Sequence, residues 1–404
     1  METKIIKTKI TSGVYWIEIP DADLRIIAGA PADTVKHLMR RGLILNRESS
    51  KNFFYETGPN AILLSDVLIQ NGCFANLSEF IVLQMLYRQG MMIPNHPNNT
   101  GAKPLLIGAK EQIKAQLKYI YIGNYGITNK QDFLNLGYSD DYAEQMLRMK
   151  LKFAFGKIKE TNEFLDTIEI NDKPTHIRNN AYISRVRLNV FKICYLGEEM
   201  VVDLNLKENE KYDSPYNLNF FDINRDYFSV IHNGSGDGWN IEMPTMGSII
   251  IFQGKIYLVD AGPNIQYTLN ALGININEIE GIFHTHAHDD HFAGLPALMQ
   301  SDKKIKYFAT PAVFYSVSLK LAALLSTDID DFKNFFEIRL LKENQWNNID
   351  GLEVMPADSP HPIENTVFFF KAQAADSQKI FAHLADIIDL KILEKMIDNS
   401  ANAA

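Results

Sequence analysis

The stretch Gly281–Gly294 decides the fold, and it reads Gly-Ile-Phe-His-Thr-His-Ala-His-Asp-Asp-His-Phe-Ala-Gly. Its apolar start is typical of a buried strand, and four side chains able to bind a metal follow within six positions: His286, His288, Asp290 and His291. A loop at the carboxyl end of a strand can aim several side chains inward. Imidazole nitrogens and carboxylate oxygens suit zinc, and also iron or manganese. Three of the chain's ten histidines are among these four side chains, which favours a metal centre over a chance surface cluster.

Motifs on both sides of this stretch follow the same pattern of apolar segment and polar side chain. An apolar strand ends at Asp260, immediately before a turn that contains glycine. Downstream, His361 precedes an apolar strand predicted over Val367–Lys371, and Asp386 follows another apolar segment. With these motifs, Thr285–His291 resembles the signature Thr-His-X-His-X-Asp-His of the metallo-β-lactamase fold superfamily, and it matches every specified position.

The resemblance covers about residues 226–395, and it implies a fold, a ligand set and a cofactor. The implied fold is an α/β class, metallo-β-lactamase-like αββα sandwich. His286, His288 and His361 would hold a first metal, Asp290 and His291 a second, and Asp386 would bridge the two. Asp260 would orient ligands from outside the coordination sphere. The implied cofactor is two divalent metal ions, with zinc expected and iron or manganese as alternatives.

One departure from the family pattern concerns the second metal. The superfamily usually supplies a further histidine well downstream of the bridging aspartate, whereas the last histidine of this chain is His383. We expect the chain to be a truncated piece of a longer protein. The alternatives are an open second site, or one completed by another group, for which His383 is a weak candidate.

The ligand types favour a hydrolase that uses a metal-bound hydroxide, with Asp290 as the catalytic residue that orients the water. The expected substrate is a phosphodiester or another ester-like bond, or another small molecule. The alternative on the same fold is a diiron gas-binding or redox sensor in signalling. Flavin-linked diiron members of the superfamily carry Glu where this chain has His288, so hydrolysis is favoured. A metal-free scaffold is the third and weakest interpretation.

The length and patterning of the chain predict two domains. It has 404 residues, of which 46% are hydrophobic. Residues 1–165 alternate strand and helix and predict a separate α/β domain of unknown role. Residues 166–404 form the metallo-β-lactamase-like domain with a β-rich lead-in, and a single strand is predicted over 183–194. In the first domain, a helix over Leu77–Gln89 with Ser78 as its cap is predicted.

Charge and composition limit the partners. The net charge of −9 disfavours a chain-wide nucleic-acid surface. We expect no membrane span and a cytoplasmic location, since the N-terminus lacks a secretory pattern and the two cysteines, Cys73 and Cys194, are predicted to be unpaired. The N-terminal residues could gate the metal site, select substrate or mediate homodimerisation.

Overall fold

A computed structural model of the chain describes residues 4–48, 54–374, 377–388 and 391. The C-terminal residues on which the expected truncation depends lie outside the described residues. Four main sheets are present, two in each half of the chain.

The described part of the first half contains two main sheets, two small two-stranded sheets (β4-β5 and β7-β8) and six α-helices. Its strands are β1 (Ile6–Thr11), β2 (Val14–Ile19), β3 (Leu24–Ala28), β4 (Asn46–Glu48), β5 (Phe54–Glu56), β6 (Ala61–Leu63), β7 (Ile69–Gln70), β8 (Cys73–Phe74), β9 (Leu105–Gly108), β10 (Asp166–Glu169), β11 (Thr175–Arg178), β12 (Ala181–Arg187), β13 (Val190–Tyr195) and β14 (Glu198–Asp203). Its helices are α1 (Thr34–Arg40), α2 (Glu79–Leu83) with a π-helical continuation (Gln84–Arg88), α3 (Lys110–Tyr125), α4 (Lys130–Asn135), α5 (Asp140–Phe153) and α6 (Thr161–Phe164).

The second half contains the other two sheets. Its strands are β15 (Phe228–Gly234), β16 (Gly247–Phe252), β17 (Lys255–Val259), β18 (Ile279–Phe283), β19 (Ile305–Ala309), β20 (Phe336–Leu340), β21 (Asn347–Ile349), β22 (Leu352–Asp358), β23 (Thr366–Gln373) and β24 (Gln378–His383). Its helices are α7 (Ile265–Ala271), α8 (Asp289–Phe292), α9 (Leu295–Leu298), α10 (Pro311–Leu325) and α11 (Phe332–Phe335). Short 3-10 turns occur at Pro20–Ala22, Ile276–Glu278 and Ile329–Asp331.

The two halves share one topology. Sheet 1 has the order β1-β2-β3-β6-β9-β10, and sheet 3 has the order β15-β16-β17-β18-β19-β20. In both sheets the first two pairings are antiparallel and the next three are parallel. Sheet 2 (β11–β14) and sheet 4 (β21–β24) are both four-stranded antiparallel meanders. No such repeat is visible in the amino-acid sequence, so the structure adds a duplication that sequence patterning missed.

The turn after the third strand of each half repeats the duplication in detail. In the first half, Gly29 has φ +86° and Asp33, which precedes α1, has φ 59°. In the second half, Asp260 has φ 66° and Asn264, which precedes α7, has φ 58°. The Asn264 amide donates a hydrogen bond of 2.8 Å to the Asp33 carboxylate. Equivalent positions of the two halves therefore meet, as they would across a twofold axis.

The second half is a sandwich in which strand alternation separates two cores. On β16, Ile249 and Ile251 face the helices, whereas Ile250 and Phe252 face sheet 4. Phe368 and Phe370 on β23 complete the apolar layer between sheets 3 and 4. The predicted α/β sandwich is confirmed for this half.

The halves also share a hydrophobic core. Tyr119 and Ile122 on α3 pack in one cluster with Val313, Val317 and Leu321 on α10. These two helices follow equivalent strands, β9 and β19. The first half therefore buries its helix face against the half that carries the metal motif.

Two details of the predicted elements differ in the structure: the capping bond expected of Ser78, which does lie at the N-cap position of α2, and the single strand predicted over 183–194. The Ser78 hydroxyl makes no capping bond at the start of α2, because it donates to the Gln116 side chain at 2.5 Å. The strand predicted over 183–194 is two strands, β12 and β13, separated by a turn at Asn189, whose φ is 59°.

The division predicted at residue 165 stays a prediction. β10, which begins at Asp166, pairs in parallel with β9 and so completes sheet 1. Ile183 and Phe191 of sheet 2 pack with Ile26 and Leu63 of sheet 1. The β-rich lead-in thus lies against the first sheet rather than against the metal motif.

Within the described residues no single helix is both long and apolar enough to cross a membrane; one pair, Pro311–Leu325 with Ile329–Phe335, meets the criterion only jointly, across a bend of 100°. Cys73 and Cys194 are both free and half-buried.

Candidate metal centre

The carboxyl ends of β17 and β18 position the metal motif. These neighbouring strands are parallel, so the residues that follow them emerge at the same sheet edge. Asp260 leaves β17 in a left-handed conformation, which aspartate tolerates better than most residues. Its carboxylate accepts hydrogen bonds from the Thr285 backbone N–H at 2.7 Å and the Thr285 hydroxyl at 2.6 Å. Asp260 thereby fixes the start of the histidine-rich loop.

The same carboxylate orients two histidines. The His291 Nδ1 donates to Asp260 Oδ2 at 2.7 Å, because a carboxylate can only accept. The Thr285 hydroxyl uses its proton on Asp260, so it must accept from His286 Nδ1, 3.0 Å away. Both rings thus carry a proton at Nδ1, which leaves Nε2 as the atom that would bind a metal. The orienting role predicted for Asp260 agrees with this geometry.

The six predicted ligands converge on one place from three segments of chain. The His286 ring lies 4.9 Å from that of His288, 4.1 Å from His291 and 4.7 Å from His361, measured between centroids. Ligand atoms of one group lie within 4.8 Å of one another, and that group comprises His286, His288, His361 and Asp386. A second group meets the same limit and comprises His286, Asp290 and His291. His286 belongs to both groups, whereas the sequence assigned it to the first metal alone.

Asp386 lies between the two groups. Its Oδ2 is 3.8 Å from His286 Nε2 and 4.0 Å from His361 Nε2, while its Oδ1 is 3.4 Å from His291 Nε2. Each oxygen therefore faces a different set of imidazoles. The Asn365 amide and the Ser359 hydroxyl donate to the Asp386 backbone carbonyl and hold the residue in place.

Burial gives these histidines the protonation state that metal binding requires. Burial lowers the pKa of His361 to about 4 and the pKa of His286 and His288 well below the ordinary histidine value. Near neutral pH these rings are uncharged. His291 differs from these three, because the charges of Asp290 and Asp260 outweigh its burial and raise its pKa well above the ordinary histidine value, so that a cation would have to displace its Nε2 proton. The hydrogen bond and charge of His291 in turn outweigh the burial of Asp386 and lower the pKa of that carboxyl.

Unsatisfied hydrogen bonding and local charge also indicate that these residues fit a cation. His286 Nε2 is buried without a hydrogen-bond partner among the described residues, a costly state unless a ligand completes it. The carboxylates of Asp260, Asp290 and Asp386 surround largely neutral imidazoles, so positive charge would be stabilised there. Histidine and carboxylate donors without cysteine suit zinc and also iron or manganese.

His284 and His383 lie outside both ligand groups. His284 is fully buried and its ring packs against Phe292 and Tyr307. His383 Nδ1 shares a hydrogen bond of 3.1 Å with the Ser248 hydroxyl. The suggestion that His383 substitutes for the further histidine is therefore wrong in this arrangement.

The residues that lie behind the loop were not predicted from the sequence. Asp289, between two predicted ligands, turns away from them toward Lys320, with an Oδ1–Nζ distance of 2.7 Å. Glu79 from the first half completes this buried group. A signal was present, because Lys320 is the one charged residue in the otherwise apolar and uncharged run of α10.

The equivalent place in the first half contains an ion pair. The backbone N–H of Gly29 bonds to Leu63 as that of Asp260 bonds to Phe283, so Asp66 occupies the position of His286. Arg185 donates to both oxygens of Asp66, at 3.0 and 2.6 Å. Both groups of candidate metal ligands found in the described residues lie in the second half. A guanidinium thus supplies the positive charge in the first half.

We expect Arg185→Ala to lower the free energy of unfolding by about 2–4 kcal/mol, because it leaves the buried Asp66 carboxylate unpaired. Urea unfolding followed by circular dichroism measures this. The control is Arg187→Ala, which removes an exposed pair with Asp203 and should change little. Equal effects of the two substitutions, or loss of bound metal in Arg185→Ala alone, would contradict the assignment.

Fold and site together define an α/β protein with a candidate metal centre of the metallo-β-lactamase type. Residues 228–400 match the family model described as anti-Pycsar protein Apyc1. The chain is similar to ribonuclease Z of Shouchella clausii, with 29% identity over 123 residues, which cover 30% of this chain and 39% of that protein. It is also similar to ribonuclease Z of Pseudomonas putida, with 32% identity over 117 residues, 28% of this chain and 36% of that protein.

Among solved structures, the human short-form tRNase Z has a TM-score of 0.30 and 20% identity, covering 38% of this chain and 68% of that one. The matched segments span well under half the length of the two ribonuclease Z relatives. The C-terminal half of the chain is related to the metallo-β-lactamase superfamily.

Proposed function

We propose that this protein is a metal-dependent hydrolase that acts on a phosphodiester. The observation that carries the proposal is Asp386, whose two carboxylate oxygens face different imidazole groups. When bound, two divalent cations would supply Lewis acidity toward a phosphoryl oxygen and lower the pKa of a water molecule. The similarity to proteins named ribonuclease Z supports a phosphodiester over other ester-like bonds.

The protein side chains have distinct tasks in this proposal. His286, His288 and His361 would hold one cation, and Asp290 and His291 would hold the other, with His286 and Asp386 close to both groups. Asp290 would also orient the attacking water, and its carboxylate lies beside Gly238. A Cβ at Gly238 would lie 3.2 Å from Asp290 Oδ2 and 2.1 Å from the Phe80 ring. Because Gly238 has no side chain, the loop that contains it can lie close to Asp290 and Phe80.

Zinc is the proposed metal. The proposed substrate is either a small phosphodiester or an RNA. The net charge of −9 favours a small substrate over a long nucleic acid, whereas the names of the relatives favour RNA. A substrate panel decides between them: bis-p-nitrophenyl phosphate, short oligoribonucleotides and structured RNA. Homodimerisation and a cytoplasmic location stay predictions.

The test measures metal content and turnover together. We expect purified protein reconstituted with zinc or manganese to hydrolyse bis-p-nitrophenyl phosphate, and His288→Ala to lose at least about 100-fold of that rate, since a removed ligand weakens Lewis-acid stabilisation. The control is His232→Ala, which removes an exposed histidine outside both ligand groups and should keep the wild-type rate. Bound iron with an oxygen-sensitive absorption and no hydrolysis would overturn the proposal in favour of the sensor.

A further inference from the structure

A buried charge cluster lies directly behind the metal loop. Lys320 on α10 is fully buried, and its ammonium donates to the Ala287 carbonyl at 2.6 Å and to Asp289 Oδ1 at 2.7 Å. It also pairs with Glu79 Oε2 at 2.5 Å, and both side chains are entirely excluded from solvent. Ala287 and Asp289 alternate in sequence with the ligands His286, His288 and Asp290. The cluster therefore contacts the backbone and side chains that aim those ligands.

The first half of the chain supplies two members of this cluster. The Tyr119 hydroxyl on α3 donates to Asp289 Oδ1. Glu79 on α2 accepts from the Asp289 backbone N–H at 3.2 Å. Asp289 is thus held through its side chain and its backbone by residues from more than 150 positions earlier in the chain.

Gly123 makes room for this arrangement. A Cβ at that position on α3 would lie 1.6 Å from Glu79 Oε2. The Glu79 carboxylate cannot withdraw without losing its bonds to Lys320 and Asp289. Close approach of α3 to the cluster therefore requires glycine here.

A second buried pair lies behind the other ligand segment. Lys150 on α5 pairs with Glu364 at 2.6 Å, and it also donates to the Pro362 carbonyl at 3.2 Å, next to the ligand His361. Glu364 accepts from the Ile127 backbone N–H at 3.2 Å. Helices of the first half thus hold both segments that carry histidine ligands.

Stability alone is a poor explanation for these clusters. Removing charges from water costs free energy that their mutual attraction often fails to repay, and apolar residues of similar volume would pack as well. A fixed ion-pair geometry instead specifies one position for the loop. Residues that do not bind the metal but fix the orientation of its ligands commonly change metal affinity when they are removed.

We propose that the first half of the chain, which has an ion pair where the second half has its metal ligands, is a positioning element for the metal centre. Glu79 and Tyr119 act as positioning residues: they hold Asp289, and through it they fix the direction of His288 and Asp290. The proposal rests on the metal centre assigned above, but not on the identity of its substrate. This role for the first half differs from gating the metal site and from selecting the substrate, and it depends on neither.

The main test uses Tyr119→Phe, which removes a single hydroxyl and keeps the ring in the core. We expect its zinc affinity, measured by competition with a chromogenic chelator, to fall about 10–100-fold. The visible bands of the cobalt-substituted protein should shift as well, since they report ligand geometry. The matched control is Tyr121→Phe on the same helix, whose hydroxyl bonds to Thr128 at 3.0 Å, away from the loop.

Glu79→Gln provides a second variant of nearly the same shape. Its amide can accept from Lys320 or from Asp289 N–H but not from both, so zinc affinity should again fall. Circular dichroism of the metal-free proteins checks that all variants are folded. Wild-type zinc affinity and cobalt spectra in folded Tyr119→Phe and Glu79→Gln would overturn the proposal. Because the readout is metal binding, failure to find a phosphodiester substrate does not affect it.

Discussion

His286→Ala is expected to remove both metal ions and to reduce phosphodiester hydrolysis by at least about 1,000-fold. His286 is the residue that belongs to both ligand groups, so its loss opens both sites at once. Metal ions contribute several kcal/mol to stabilising charge in such transition states, and about 1.4 kcal/mol corresponds to a tenfold change in rate. Metal content measured by plasma mass spectrometry and initial rates on bis-p-nitrophenyl phosphate test the prediction.

The matched control for this substitution is His284→Ala. His284 lies two residues earlier on the same buried loop but outside both ligand groups, with its ring against Phe292 and Tyr307. Its removal should lower stability through a cavity and leave the metal content near that of the wild type. If His286→Ala retained both ions and full turnover, the ligand assignment would be wrong.

Asp260→Asn is expected to lower zinc affinity about 10–100-fold although it changes one oxygen to an NH₂ group. Asp260 Oδ2 accepts from the Thr285 hydroxyl and from His291 Nδ1. An amide NH₂ in that position donates, so His291 would have to present a lone pair at Nδ1 and carry its proton on Nε2. A protonated Nε2 cannot bind a metal, and the second ligand group loses a donor.

The control is Asp350→Asn, which also replaces an aspartate in a left-handed backbone conformation and removes one negative charge. Asp350 also has a left-handed φ, 51°, and it pairs with Lys255 on the surface. Asparagine tolerates that conformation as well as aspartate does, so both variants should fold. Isothermal titration with zinc compares them, and equal affinities in the two variants would refute the orienting role of Asp260.

The metal centre could be predicted from sequence because each ligand motif is local. Four of the ligands lie within six positions of one loop after an apolar strand, so their closeness follows from the sequence. The resemblance to a known superfamily added His361 and Asp386, which are far from that loop along the chain. The structure brings all six predicted ligands together with Asp260 behind them. That His286 belongs to both ligand groups follows from interatomic distances, and these cannot be read from the spacing of residues along the chain.

The contribution of the first half could not be predicted in this way. Its resemblance to the second half lies in strand order and backbone conformation, such as the left-handed Asp33 and Asn264, while the side chains at the equivalent site differ. Nothing local in sequence pairs Glu79 with Lys320, because the contact depends on how two distant helices pack. The same reason explains the Ser78 error, since Gln116 on another helix takes its hydroxyl.

The duplicated topology gives the chain the form of two like folds joined in one polypeptide. Helices α3 and α10 meet at the contact between them, and the Asp33 and Asn264 side chains bond across it. The ion pair of Arg185 with Asp66 supplies a positive charge in the first half at the position that corresponds to the metal ligands of the second half. One half can therefore support a site that the other half carries.

The central claim is tested most directly by the number of zinc ions that the 404-residue chain binds when the metal-free protein is reconstituted with zinc. Plasma mass spectrometry against protein concentration, after removal of free metal, gives the number of ions per chain. The two ligand groups around Asp386 predict about two ions per chain, as in two-metal hydrolytic sites. A folded protein that retains less than about half an ion per chain would contradict the assignment of these residues to a metal centre.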